Sequence, residues 1–584
     1  MVCAQTSQPD SGNAPAAAAP VVTIHGVVKN AATGQPLPRV LVKVEGQTSA
    51  GALTDGDGAF EIPGLPAGES SIDLTKPGYE DASAGGGEAF PWMLGSPVPH
   101  AVNLTAEMPA LEFAMRPLNA IRGQIQLSTG EPAEGFRVEL FKRSIQDGRQ
   151  RWRIVANAQT NADGAFRFGA LSDGTYTVAV QPSIDGDGGR IFQLGSSSPR
   201  VRTGYARLYY PDARDLSGAG LIGVSAGETA QANLTLRQER FHLVQAAVSA
   251  PGLESASEGA LSQTGVAIAI KGTGTTFGMI GLEPEVLDTR GHALQYRVEY
   301  DAKARLMQAM LPDGDYTLRA IAFGPSKPSV NRTGGIVTEV KNFLSGQTDV
   351  SVNGRAVTNL RIALGPEATN AIDVRVNRTA AAPPQQADGS EPTISINAAQ
   401  AGADFANPFP SEFAQGSVPG TLETQPLGPG SYWLQTTTET AGLCESSFTA
   451  GGANLAREPL VVAANGSTAS LTLTLRDDCA SLRVSLPQRL AAIATGETPN
   501  FEVYIIPDFD STEQVRPHTL FANLENSFVE KYLTPGAYHV YASRGRADLP
   551  YRDPVAMAAL NLQGQAVTLT PGATTDLVLE VPAP

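Results

Sequence analysis

The chain has 584 residues, with 42 Lys and Arg against 58 Asp and Glu, a formal net charge of −16. So acidic a composition excludes a nucleic-acid partner, because neutralising phosphates needs a basic surface. No apolar run approaches the roughly 18–20 residues of a transmembrane helix, and 60 Gly with 42 Pro break every candidate helical stretch.

Residues 1–20 carry Gln, Ser, Pro, Ala and Gly without an apolar pattern and read as disordered. Within them, Val2-Cys3-Ala4 before Gln5 has the small-residue pattern of a signal-peptidase site, although the apolar region that precedes such a site is missing. The reading is a remnant of an export signal, which places the protein in an extracellular or periplasmic compartment. A lipid-modified Cys3 is the weaker alternative.

A first strand comes at Ile24-His25-Gly26-Val27-Val28, then a turn at Thr33-Gly34-Gln35-Pro36 and a second strand at Val40-Leu41-Val42-Lys43-Val44. The turn Thr54-Asp55-Gly56-Asp57-Gly58 leads to Phe60, and five residues later comes Leu65-Pro66-Ala67-Gly68. The pattern then repeats. Ile121-Arg122-Gly123-Gln124-Ile125 opens a second copy, Thr160-Asn161-Ala162-Asp163-Gly164 leads to Phe166, and Leu171-Ser172-Asp173-Gly174-Thr175-Tyr176 closes the phrase. The phrase returns at Leu311 with Tyr316, at Leu427 with Tyr432 and at Leu533 with Tyr538, so its copies lie about 106 to 140 residues apart. Each Leu is expected to anchor a core, each Pro/Asp/Gly run to turn the chain, and each Tyr to open the next strand with its ring buried.

Closing strands such as Leu360-Arg361-Ile362-Ala363-Leu364 and Leu471-Thr472-Leu473-Thr474-Leu475 alternate apolar and polar residues. This period of two is the mark of a strand with one buried face. The sequence predicts an all-β protein of five tandem β-sandwich domains in an elongated array, at 21–117, 118–238, 239–366, 367–477 and 478–584. Loops are expected at 82–88 and 380–392.

The stretch Gly26-Val27-Val28, Thr33-Gly34-Gln35-Pro36-Leu37-Pro38, the Thr54 to Phe60 turn, Gly64-Leu65-Pro66-Ala67-Gly68 and Pro77-Gly78-Tyr79 resemble a carboxypeptidase regulatory-like domain. That family has a transthyretin-like sandwich, similar in fold to collagen-adhesin B-type repeats and starch-binding-like domains. The resemblance is specific over residues 21–80, good over 118–182, and fades to the Leu-turn-Gly-x-Tyr phrase beyond. It implies a non-catalytic domain, of the kind found in bacterial envelope proteins as tandem arrays.

Candidate chemistry is sparse. The six histidines have no Glu three residues after them, so the His-x-x-Glu zinc motif of the metallocarboxypeptidases is missing. Gly223-Val224-Ser225-Ala226-Gly227 matches the G-x-S-x-G string, but it runs into a closing strand and not into the helix a nucleophile elbow requires. Asp55-Gly56-Asp57-Gly58 resembles the start of a calcium loop, yet the twelfth position is Pro66 where a bidentate Glu is needed, so a hairpin turn is the better reading. Adhesin-type repeats often carry a Lys–Asn isopeptide bond; the first strand here lacks the Lys, and Lys43 lies in the next one. Asn103, Asn233, Asn331, Asn377 and Asn465 begin Asn-x-Ser/Thr strings, several of them inside predicted strands.

Cys444 and Cys479 are placed to form a disulfide under oxidising conditions; the other reading is two small buried thiols. Sugar stacking needs exposed aromatic faces, and the candidates are Trp92 in a Pro/Gly-rich loop, Trp152 in an Arg-rich hairpin insertion, and Trp433. Trp433 follows Tyr432 and should point away from the core, either towards a ligand or over a domain junction. The resulting expectation is a non-catalytic exported structural or interaction protein without cofactor or metal, whose partner is an unknown envelope protein or polysaccharide. The alternative is a carbohydrate-binding module array.

Overall fold

A computed structural model describes residues 21–580 except 47–48, 83–99, 106–107, 186–200, 250–280, 290, 302–303, 324–327, 331–335, 339–342, 367–369, 380–392, 402–410, 419, 426, 439–441, 464–466, 488–499, 522–525 and 545–547. The expectations for residues 1–20 with Cys3, for the 380–392 loop and nearly all of the 82–88 loop, and for Trp92, Asn331 and Asn465 lie outside the described residues.

The described chain is built of strands. Its buried apolar side chains gather into five successive cores, running from Val22 to Met115, Ile121 to Leu236, Val244 to Leu364, Ile372 to Leu475 and Ala480 to Leu579. Two sheets enclose each core, and one plan recurs in all five. The opening strands Val21–Asn30, Asn119–Leu127, Gln238–Ser249, Ala371–Asn377 and Ala480–Ser485 lie inside the first sheet. Each pairs antiparallel with the strand leading to the repeated Leu, and parallel with the closing strand of its unit. The second sheet is organised around the strands that come after the phrase's Gly, such as Gly174–Val180 and Gly430–Thr437. Alternate residues of Val21–Asn30 are buried, as period-two patterning requires of a strand covered on one face.

The repeated turns prove to be corners. Ala50–Leu53 pairs in the second sheet and Ala59–Pro66 in the first, so the Asp55 turn, expected as a hairpin, carries the chain between sheets. Asp55 Oδ1 accepts the Asp57 and Ala59 N–H groups at 3.0 and 2.8 Å, and Asn161 Oδ1 serves Asp163 and Ala165 in the same way. Thr54 and Thr160 are buried and anchor these corners to Leu37 O and Ala133 O. Gly164 has φ of 71°, and a Cβ there would stand 2.3 Å from Ile125 O.

The Leu-turn-Gly-x-Tyr phrase is a second corner. Tyr176, Tyr316 and Tyr538 are buried and Tyr432 is half-buried. Each hydroxyl donates to the carbonyl four residues back, on Ser172, Pro312, Gly428 and Thr534, at 2.8, 3.1, 2.9 and 2.6 Å. The ring fills the core while the hydroxyl ties the corner, as in the tyrosine corner of Ig-like sandwiches. The first unit has Ser70 at this position; Ile72 is fully buried beside it, and Tyr79 packs against the core half-buried.

Two features depart from the sequence reading. A six-residue helix, Pro554–Ala559, interrupts the fifth unit; Asp553 caps it by accepting Ala556 N–H at 3.0 Å, with Pro554 at its first position. The units are also less independent than beads on a rod. Strand Val201–Tyr205, which lies after the second unit's Tyr strand, pairs with the third unit's opening strand Gln238–Ser249, and a long hairpin of the second unit reaches the fourth and fifth. No helix among the described residues is long and apolar enough to cross a membrane.

Candidate interaction site at a three-unit junction

The hairpin of the second unit consists of Arg137–Gln146 and Arg149–Gln159, ten and eleven residues long. The matching hairpin of the first unit, Leu41–Glu45 with Ala50–Leu53, has strands of five and four. Asp147 and Gly148 form the two-residue tip, with φ of 48° and 66°, as a type I′ turn requires. Asp-Gly is the dipeptide that suits this turn, so the tip is set by local sequence.

At the tip, Asp147 Oδ1 accepts from Gln435 Nε2 of the fourth unit at 2.8 Å and from the Tyr551 hydroxyl of the fifth at 3.0 Å. Arg552 Nε lies 3.4 Å from the same oxygen, and Arg552 N–H donates to Gly148 O at 2.9 Å. Gly148 is covered by the Tyr551 ring so closely that a Cβ would stand 2.8 Å from it. The Arg149 guanidinium lies 3.8 Å from the Trp433 ring centroid, an arrangement that favours a cation over the aromatic face.

The fourth and fifth units are joined beneath this contact. Glu445 is buried, and its carboxylate accepts from Thr512 N–H at 2.8 Å, Thr512 Oγ1 at 2.5 Å and Thr436 Oγ1 at 2.7 Å. Its carbonyl accepts from Thr534 Oγ1, in the fifth unit's corner, at 2.6 Å. Arg552 extends the network by donating to Ser511 O and Glu513 O at 3.1 and 3.2 Å. Cys444 and Cys479 are joined across the same seam, with Cα atoms 5.8 Å apart.

Burial pushes Arg149 down to about 10, and the charges of Arg552 and Arg151 add to this against the pull of Asp147. For Arg552 burial acts in the same direction, but Asp147, Tyr551 and Glu445 outweigh it and hold the guanidinium above its ordinary value. Burial raises Tyr551, with Asp147 adding to the rise, and burial raises Glu445 despite its bonds from Thr512 and Thr436.

Between the three units lies a cavity of about 250 Å³. Its walls come from the hairpin tip, from the outward face of the strand pair Thr393–Gln400 and Gly430–Thr437, and from Tyr504, Gln514, Val515, Pro517, Asp548, Leu549 and Tyr551 of the fifth unit. Leu434 points into the fourth core, so Trp433 and Gln435 must face outward. The ladder sets Asn397 opposite Gln435 and Ala399 opposite Trp433.

Of the aromatic candidates, Trp433 is at this junction with Arg149 on its ring. Trp152 instead packs half-buried on a small satellite core with Phe141, Tyr209 and Leu216. Ser225 sits between two strands, Ile222–Val224 and Thr229–Gln231, in a turn whose Ala226, Gly227 and Glu228 N–H groups are held by Asp173 and Asn119. Lys43 is paired with Glu45. Asn233 is spent on Gln124 N–H at 2.9 Å, while Asn103 and Asn377 lie in strands. Among the described residues no group of three or more His, Cys, Asp or Glu could hold a metal ion. Sequence reasoning passed over Asp147, Gln435, Glu445, Tyr551 and Arg552. The only signals for them were the Asp-Gly turn in an Arg-rich hairpin and an Asp-Pro helix start.

Residues 23–102 match the carboxypeptidase regulatory-like domain family. No curated protein matches the chain. Among solved structures, the Bacillus anthracis TIE protein is similar at 11% identity and TM-score 0.16, over 59% of this chain and 51% of that one, so this chain spans about half its length. GBS52, the minor pilin of Streptococcus agalactiae, is similar at 12% identity and TM-score 0.20, over 37% of this chain and 96% of that one. The shaft pilin SpaA of Lactobacillus rhamnosus GG gives 10% identity and TM-score 0.18, over 37% and 98%. At these values the structural likenesses carry no argument about function.

Proposed function

We propose that this chain is a non-catalytic structural and interaction protein of the cell exterior, a β-sandwich array of five units held in one folded-back shape. The observation that carries the reading is the Asp147 tip seated between the fourth and fifth units, bonded to Gln435 and Tyr551. Residues 288 and 404 positions away along the chain are brought to one carboxylate, which is what a scaffold of defined shape needs. The match of residues 23–102 to a regulatory-like domain supports the same reading. The buried Glu445 network and the Cys444–Cys479 link suit a junction that bears load in an oxidising compartment.

Small-angle scattering of the purified chain and of Asp147→Ala tests the shape. The wild type should give the compact folded-back form, and the variant a longer particle with its five cores intact. An unchanged scattering profile would remove the tip from its proposed role. Turnover of peptide, ester or glycoside substrates that is lost in Ser225→Ala or with a chelator would refute the non-catalytic reading.

A further inference from the structure

We propose that the cavity at the three-unit junction binds a single neutral sugar ring, as the end residue of a glycan. The inference rests on the folded-back arrangement, since the second unit supplies one wall. Its first support is size. A volume of about 250 Å³ corresponds to the liquid volume of roughly eight waters and lies just below the ~300 Å³ at which pockets for drug-sized ligands begin. One pyranose ring fits such a space.

The lining supports the same class. Sugar hydroxyls both donate and accept, and amide and hydroxyl side chains answer in both senses without carrying charge. Asn397 and Gln435 stand opposite one another on the outward face of the fourth unit's sheet and line the cavity together. Gln435 uses its Nε2 on Asp147, while the Asn397 side chain makes no hydrogen bond among the described residues. Trp433, Tyr504 and Tyr551 line the same walls, and the aromatic surface left beside Arg149 on Trp433 and Gly148 on Tyr551 is of the kind on which the C–H groups of a pyranose pack.

Charge argues against an ionised ligand. Asp147 is held by Gln435, Tyr551 and Arg552. Arg149 is laid over Trp433, and Arg151 reaches the carbonyls of Gln400 and Ala401 at 3.5 Å. These three charges therefore already have partners within the junction, and an added ion would compete with them, while Asp548, which also lines the cavity, disfavours an anion.

Titration calorimetry with the methyl glycosides of glucose, galactose, mannose and N-acetylglucosamine tests the proposal on the full chain, with scattering recorded on the same samples. At least one glycoside should bind saturably and shift the tryptophan emission. Asn397→Ala should weaken that binding at least tenfold. Ala399→Phe, which adds a ring beside Trp433 and fills the cavity, should abolish it, and Lys43→Ala in the first unit should leave it unchanged. Failure of all four glycosides to bind a chain that scatters as folded-back would overturn the proposal and leave the scaffold reading standing. So would binding that survives in both Asn397→Ala and Ala399→Phe. A wild-type chain that scatters as extended would overturn both readings.

Discussion

The first and second units share a corner, a core plan and a strand order, but their hairpins differ twofold in length. In the first, Leu41–Glu45 and Ala50–Leu53 stop at the edge of their own sandwich. In the second, Arg137–Gln146 and Arg149–Gln159 run on until Asp147 and Gly148 reach the fourth and fifth units. The two cores are held by the same devices, namely a buried Thr, an Asx-bonded turn and an apolar ring five residues before the repeated Leu. The extension of the second brings it into contact with distant units. A sandwich therefore keeps its fold while one hairpin grows, and new function can be added at the tip without disturbing the core.

Damage to a single core should separate the two kinds of unit most clearly. Tyr538→Ala deletes a buried ring and the hydroxyl bond to Thr534 O. It should cost about 3–5 kcal/mol, a large part of the ~5–15 kcal/mol that holds a domain. Hydrogen exchange should then show the fifth unit open, the hairpin tip of the second exposed, and the first unit as protected as before. A first unit that loosens equally would erase the distinction between a self-contained unit and a junction unit.

Next in size is the link across the seam. Cys444 and Cys479 are 35 residues apart, and closing a loop of that length stabilises by roughly 3–4 kcal/mol in the chain-entropy model. Reduction, or Cys444→Ser with Cys479→Ser, should lower the melting temperature of the fourth and fifth units and leave that of the first unchanged. Thiol counting on protein from an oxidising compartment should find neither Cys444 nor Cys479 free.

Glu445 should have a smaller influence. Its pKa is raised from 4.5 by burial, so the folded state binds its proton more tightly than the unfolded chain does. The stability this contributes is fully present below pH 4.5 and is lost as pH rises through the raised value. Melting of the fourth and fifth units measured from pH 4.5 upward should decline in that window, and Glu445→Gln should flatten the decline. Least of all should change in the first unit. Lys43→Ala removes an exposed pair with Glu45 and should leave the melting of the first unit essentially unchanged.

The fold was legible because its determinants are local. Period-two alternation marks a half-buried strand wherever it occurs, Thr-Asp/Asn-x-x-Gly marks a corner through side-chain to backbone bonds within four residues, and the Tyr hydroxyl finds a carbonyl four residues back. Even so, whether a turn makes a hairpin or crosses between sheets was not readable at Asp55, since both use the same turn residues. The helix at Pro554–Ala559 was missed because six residues are too few to show a helical period, although Asp553-Pro554 is the start signal of one.

The junction was a different matter. The outward direction of Trp433 can be read from strand alternation alone, but what covers it cannot. Asp147 reads as an ordinary turn residue, and its partners Gln435 and Tyr551 lie 288 and 404 residues away with no pattern connecting them. Glu445 sits in a strand where a charge would be expected to face water, and it is buried only because the fifth unit closes over it with Thr512. The all-β class, the repeated turns and the residues that fill each core were thus written in the sequence, because those depend on neighbours along the chain. Which units meet, which carboxylates lose their water and where a cavity opens emerged only once the chain was folded, because they depend on surfaces that local sequence does not bring together.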